Sequence, residues 1–393
     1  PRLAILLVIV GVPVAAILSW IFDFTPEGLQ RTDPLEPKQF RNDPSYADSI
    51  AVLPFQDMSP EKDQEYFCDG IAEEIINALT RVENLKVIAR TSAFAFKGKQ
   101  MDIRQIGNTL NVESVLEGSV RKDSNTLRIT AQLIRVDDGS HIWSEAYNRE
   151  LKDIFSIQEE ISLTIVKKLE VKLGKENKEV LLKRHTENHE AYQLYLQGYY
   201  QWQKMTPEGN QKAQEYYLKA IEKDPEYALV YSILGSNFGF AGLLGFIPPE
   251  VSVQNGLKYT NKALEIDDSI SVAHSTLGAF SMLYDWDLEA AESGFLRSVQ
   301  LNPNSPWDRF FYSLYLRYKH QYEEAIAESL FAMEKDPFNI YLCTEVGITY
   351  LMAGRVQDAI ERQKMTINIY PEGFMAHHNL GEAYEVNGQL DEA

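Results

Sequence analysis

The hydrophobic positions of this chain change their period three times. Leu3 to Phe22 is a 20-residue run without a charged side chain, long enough as a helix to cross a hydrocarbon core of ~30 Å at ~1.5 Å per residue. Trp20 closes the run as an interfacial anchor would. Gly11, Ala15 and Ser19 form a stripe of small residues suited to packing against another helix, and Pro13 predicts a kink. Residues 23–48 are polar, contain Pro26, Pro34, Pro37 and Pro44, show no apolar period and read as a linker. From Ser49 the pattern alternates between two periods. Short apolar runs at 49–55 and 85–89 predict strands, and Phe67, Ile71, Ile75, Leu79 and Val82 step like one face of a helix. Residues 103–110 predict a short helix, and 115–120, 127–134 and 141–147 alternate as strands, with turns at Asp123-Ser124-Asn125 and Asp137-Asp138-Gly139. Ile154, Ile157, Ile161, Ile165 and Leu169 close the segment on a helical stripe. The order strand, helix, strand, helix, three strands, helix predicts a small mixed α/β domain over 49–174.

Beyond residue 189 the period lengthens. Ala325, Ala359 and Ala393 stand 34 apart, as do Pro303, Pro337 and Pro371, and Gly347 and Gly381. That spacing is the signature of tetratricopeptide (TPR) repeats, helical hairpins that bury their apolar faces only by stacking into a solenoid. Five units are legible. The third (Gly278, Ala291, Phe295, Pro303) is one residue long at Asp285-Trp286-Asp287. The second (Leu234, Gly235, Phe238, Ala263) carries about nine extra residues, expected in its inter-helix loop with Pro248-Pro249. The sequence stops at Ala393 inside a sixth unit and begins without Met, so truncation at both ends is expected.

The segments "SIAVLPFQDMSPEKDQEYFCDGIAEEIINALTRVENLKVIARTSAFAFKGK" and "VLEGSVRKDSNTLRITAQLIRVDDGSHIWSEAYNREL" closely resemble the TolB amino-terminal-like domain of bacterial membrane proteins that carry TPR repeats. "GVPVAAILSWIFDFTPEGLQRT" and "YDWDLEAAESGFLRSVQLNPN" resemble the last span and the repeats of the same proteins. Some relatives join this module to a class III nucleotide cyclase or a winged-helix DNA-binding domain.

Charge narrows the partners. The formal net charge is -19, of which -14 falls in residues 190–393, so nucleic acid is not expected on the solenoid. Arg31, Lys38 and Arg41 come after the apolar run whereas only Arg2 precedes it. This bias places the α/β domain and the repeats on the cytoplasmic side of a bacterial inner membrane, with the periplasm as the alternative. No phosphate loop, nucleophile elbow or cysteine cluster occurs, and neither cofactor nor metal is expected. His185 and His189 are four apart but lack a third ligand. Asp69 reads as part of a helix-start turn, and Cys68 as a small packed residue. Trp143 and Tyr147 share a strand face with His141 and Glu145, a contact surface or an ordinary amphipathic strand.

Groove positions two, five, nine and twelve of each first helix read Trp307, Phe310, Leu314 and Arg317; Tyr341, Thr344, Ile348 and Leu351; Met375, His378, Glu382 and Glu385. The basic carboxylate clamp of some TPR domains is absent, so a peptide or protein held by apolar anchors is expected. The expected protein is α/β plus all-α: a transmembrane helix (1–22), a linker (23–48), the α/β domain (49–174) and a TPR α-solenoid (189–393). Its expected role is a membrane-anchored, non-enzymatic scaffold, with self-association through the membrane helix. The alternative is the regulatory portion of a signalling protein, a cyclase or winged-helix regulator, whose output domain lies upstream of Pro1.

Overall fold

The computed structural model describes residues 22–25, 28–31, 49–82, 85–123, 126–150, 154–169 and 184–393. The chain divides into two compact units, Pro1–Ser45 and Tyr46–Ala393. In the first, β1 (Phe22–Thr25) pairs antiparallel with β2 (Gly28–Arg31). Phe22 therefore belongs to a strand, and the segment read as a featureless linker contains a hairpin. The rest of the run from Leu3 lies outside the described residues. No helix among the described residues is long and apolar enough to cross a membrane.

The second unit opens with a mixed sheet. Strands β3 (Ser49–Val52), β4 (Gln56–Asp57), β5 (Lys86–Val87), β6 (Ser114–Asp123), β7 (Thr126–Arg135) and β8 (His141–Glu150) succeed one another in sequence. Their spatial order is β5-β3-β6-β7-β8, with β4 also paired to β6. β3 runs parallel to β5 and β6, whereas β6, β7 and β8 form an antiparallel meander. The unbroken apolar run of β3 reflects burial on both faces. Ile50 and Val52 point to the core under α1 (Glu65–Leu79) and α4 (Ile154–Lys168), Ala51 to a second core with α2 (Arg90–Phe94) and α3 (Ile103–Leu110).

The repeats come next as hairpins: α5 (His189–Trp202) with α6 (Pro207–Lys223), α7 (Ala228–Leu243) with α8 (Pro249–Ile266), α9 (Ser271–Phe280) with α10 (Leu288–Leu301), α11 (Pro306–Tyr318) with α12 (Tyr322–Lys335), α13 (Ile340–Met352) with α14 (Val356–Ile369), and α15 (Phe374–Val386). The starts of α5, α6, α10, α11 and α13 are capped by the side chains of Asn188, Thr206, Asp287, Ser305 and Asn339. The extra residue of the third repeat is taken up by a π-helical turn, Ser281–Asp285, at the end of α9. The long second repeat departs from expectation. Compared with α13–α14, three of its nine extra residues lengthen the first helix and four the second, and only two enter the connection. Extending a helix adds a hydrogen bond per residue, which an open loop does not.

The α/β domain and the solenoid share one core. Phe67, Ile71 and Ile75 of α1 pack in the same cluster as Tyr192, Tyr195, Leu196, Tyr217 and Tyr227 of the first repeats. At Gly70 the two parts approach closely: a β-carbon there would stand 2.6 Å from the Leu196 side chain. The inter-repeat turns then dock on the α/β domain in succession. Arg81 lies in the field of Asp267, from the turn before α9. Asn304, before α11, donates through Nδ2 to the carbonyls of Thr80 and Val82, both at 3.0 Å. Before α13, the Lys335 carbonyl accepts from the Ala89 amide at 2.8 Å, and Asp336 accepts from Ser92. Phe338 stacks edge-on against Phe96 with centroids 5.8 Å apart.

Candidate functional site: the repeat groove and its junction with the α/β domain

The first helices of the repeats bring aromatic side chains from distant parts of the sequence together. Trp202 meets Phe240 at 5.9 Å between centroids, Phe240 meets Trp307 at 5.7 Å, and Trp307 meets Tyr341 at 6.4 Å. Phe310 and Phe311 complete the cluster beside Trp307. Tilted and edge-on pairs at such distances are mutually stabilising by about 0.5–1.5 kcal/mol each. Trp307, Phe310 and Tyr341 are thus half-buried members of an intramolecular ladder that keeps part of each ring open. Trp202 and Phe240 were not among the expected groove positions, which covered only the three most regular repeats. The offset of four from the repeat glycine that gives Leu351 and Glu385 reaches Trp202 from Gly198, whereas from Gly235 it reaches Gly239, one residue short of Phe240.

The remaining expected positions divide. Leu314, Ile348 and Leu351 are half-buried, and Met375, His378, Glu382 and Glu385 are exposed or partly so on α15. His378 stacks on Phe374, and its Nε2 lies 3.4 Å from Glu382. Two positions are taken up by bonds within the array. Thr344 is fully buried, its hydroxyl donating to the carbonyls of Ile340 and Tyr341 while its own carbonyl accepts from Gln363 at 3.0 Å. A polar β-branched side chain in a tightly packed helix satisfies itself on the preceding turn. Arg317 pairs with buried Glu345 at 2.8 Å, and burial pushes the Glu345 carboxyl up to about 7.

The junction concentrates charge. Asp69 sits inside α1, whose N-cap is Gln64, and not in a helix-start turn. It receives Lys97 at 2.8 Å and lies 3.7 Å from Arg90. Arg90 also reaches Glu73 at 3.2 Å, donates to Gln203 at 2.9 Å and covers the Phe94 ring at 4.1 Å. Burial raises the Asp69 and Glu73 carboxyls above the usual range and takes Glu74, beside Glu73, to about 7. Glu73 accepts from Tyr199 at 3.1 Å, tying α1 to α5.

Other candidates resolve into structural roles. Cys68 and Cys343 are buried, and burial raises both thiols, Cys343 to about 11, which leaves little thiolate. Tyr147 is a core side chain whose hydroxyl bonds Glu145, which also accepts from Trp143. His185 lies 3.0 Å from Arg81. Among the described residues no group of three His, Cys, Asp or Glu could hold a metal ion.

Residues 46–164 match the family described as the HilA/YgeH-like transcriptional regulator, second domain. Over 247 residues the chain is 38% identical to "Putative adenylate cyclase 3" of Rhizobium meliloti (strain 1021). The alignment takes in 62% of this chain and 42% of that protein, so the chain spans less than half the length of the curated relative it matches. Solved structures similar to the chain include PilW, a widely conserved type IV pilus biogenesis factor, with 12% identity, TM-score 0.41, and 51% of this chain and 89% of that one covered. A thermophilic TPR protein of Thermus thermophilus is similar at 14% identity and TM-score 0.40, over 50% and 99% of the two chains. YrrB, described as a TPR protein with an unusual peptide-binding site, is similar at 22% identity and TM-score 0.32, over 43% and 82%.

Proposed function

We propose that this chain is a protein-interaction scaffold without catalytic activity of its own, whose repeats hold a protein or peptide partner. The observation that carries this reading is the aromatic ladder from Trp202 to Tyr341, which presents half-open rings along several first helices. Such rings give apolar anchors of low entropy cost. In this reading the apolar run from Leu3, ending before strand residue Phe22, supplies a helical anchor in a bacterial inner membrane, with the α/β domain and repeats on the cytoplasmic side and self-association through the small-residue stripe. The α/β segment is then a TolB-like domain that braces the array. Anchoring raises the effective concentration of partners in the same membrane.

Affinity capture of the whole chain, beside an Ile348→Glu/Met375→Glu variant, tests the reading. Partners lost from the variant alone would identify the groove ligand; identical recovery from both would sink the groove as the binding surface.

A second reading is favoured by the 38% identity to the Rhizobium protein and by the family match at residues 46–164. It makes the chain the regulatory portion of a nucleotide cyclase or winged-helix regulator, with the output domain upstream. Sequencing the gene upstream of the Pro1 codon separates the two readings: a catalytic or winged-helix domain there favours the second, further apolar spans the first.

A further inference from the structure

Every hairpin has two ends, and here they differ. The inter-repeat turns carry Asp267, Asn304 and Asp336 and are taken by the α/β domain. At the opposite edge, where each first helix passes into its second, the α/β domain reaches only the first repeat, through Arg90 and Gln203; the later repeats carry none of its polar contacts there among the described residues. There the last residues of α7, α11, α13 and α15 are Leu243, Tyr318, Met352 and Val386, exposed by 61%, 48%, 49% and 64%, with Leu283 of the π turn at 46%. Leu283, Tyr318, Met352 and Val386 are spaced 35, 34 and 34 in sequence, so they form one column of the repeat. Apolar side chains exposed singly are ordinary; the same column left apolar and open through successive repeats is an interaction surface.

Charge on the same edge says what covers it. The first turns of α8, α10 and α12 carry the exposed acids Glu250, Glu289 and Glu324, which make no ion pair among the described residues. Their favourable interaction with the helix dipoles explains why acids are tolerated there; the bases on the same edge are fewer, exposed Lys319 beside Tyr318 and Arg355, which pairs with Asp358, so the edge stays acidic. Successive first helices touch, which sets them about 8–10 Å apart. On a partner helix the same-face repeat nearest that interval is two turns, about seven residues or ~10.5 Å.

We propose that this edge docks a basic amphipathic helix of a partner protein, apolar residues seven apart seated on Leu283, Tyr318, Met352 and Val386 and flanking lysines or arginines facing the acids. The proposal rests on the reading of the repeats as protein-binding and names the edge and the chemistry of the partner.

The test is fluorescence anisotropy of the whole chain with a labelled helical peptide of about 21 residues carrying leucine at every seventh position and lysine beside it. Saturable binding is expected, weakened at least about tenfold by Tyr318→Ser/Met352→Ser and by exchanging the peptide lysines for glutamates. Glu289→Lys/Glu324→Lys is expected to reverse the preference between the two peptides. Circular dichroism checks that each variant remains folded. Binding indifferent to the edge substitutions but lost in Ile348→Glu/Met375→Glu would overturn the edge and leave the groove scaffold standing. No saturable binding to the wild-type chain would overturn the edge proposal, while the capture experiment judges the scaffold separately.

Discussion

Asp336 shows how one side chain can hold two parts of a protein together. Its carboxylate accepts from the amide and hydroxyl of Ser92, at 2.9 and 2.5 Å, and from Asn339 at 2.9 Å. Ser92 Oγ in turn accepts from the Phe338 amide at 2.8 Å. Burial raises the carboxyl while these donors pull it back. Replacing Asp336 by alanine strands several buried donors, each worth about 1–3 kcal/mol when left unpaired. A drop of about 2–4 kcal/mol in unfolding free energy is expected from urea titration; an unchanged midpoint would mean the junction is dispensable. In the sequence Asp336 is only the residue before a repeat proline. Nothing local distinguishes it from Asp224, because its partner Ser92 is 244 residues away.

At the scale of the element, the turn after each first helix contains a residue with left-handed backbone. Met205, Gly245, Trp286, His320, Gly354 and Gly388 have φ between 51° and 76°. The amide just after four of them, at Phe246, Gln321, Arg355 and Gln389, bonds back to the carbonyl five residues earlier, closing the helix in a Schellman motif. Glycine takes this conformation freely, whereas a side chain costs about 1 kcal/mol or more. Met205→Gly is therefore expected to raise stability by about 0.5–1 kcal/mol, read as an upward shift of the thermal midpoint. A lower midpoint would show that Met205 contributes packing worth more than the strain. The period of 34 was legible because these caps and the small interior residues recur with it. The π turn and the lengthened α7 and α8 were not, since the same extra residues could form loop or helix, and packing against neighbours decides which.

For the whole molecule the shared core predicts that the α/β domain and the repeats unfold together. Calorimetry of the whole chain should show one main transition for residues 46–393; two separated transitions would contradict the continuous core. Its midpoint should rise as pH falls from 8 to about 5.5. Glu74 and Glu345, both taken to about 7, are protonated in the folded state at pH values where the unfolded chain is ionised. The folded state then binds more protons, so stability is lost as pH rises from about 4.3 through 7. Asp69, Glu73 and Asp336 shift in the same direction. Lys335, lowered to about 8, has the opposite sign, but its effect changes mainly above this window. A midpoint that climbs with pH over the same range would refute the assignment.

The amino-acid order by itself determined the kinds of element and the repeat, because apolar periods of 2, 3.6 and 34 residues are local properties of the chain. It placed the main strands and helices of 49–169 in order, missing the two-residue β4 and the five-residue α2, and singled out Trp307 and Tyr341 as first-helix aromatics. Tertiary structure decided which of those side chains are open. Thr344 and Arg317 were withdrawn by bonds to their own and neighbouring helices, and Asp69 was drawn into a buried ion network with Lys97 and Arg90. It also decided that the inter-repeat turns belong to the α/β domain, while the ends of the later first helices stay open among the described residues. Such assignments depend on contacts between residues more than 200 positions apart, such as Asn304 with Thr80. Periodicity specifies a face, but only the folded chain determines what that face meets.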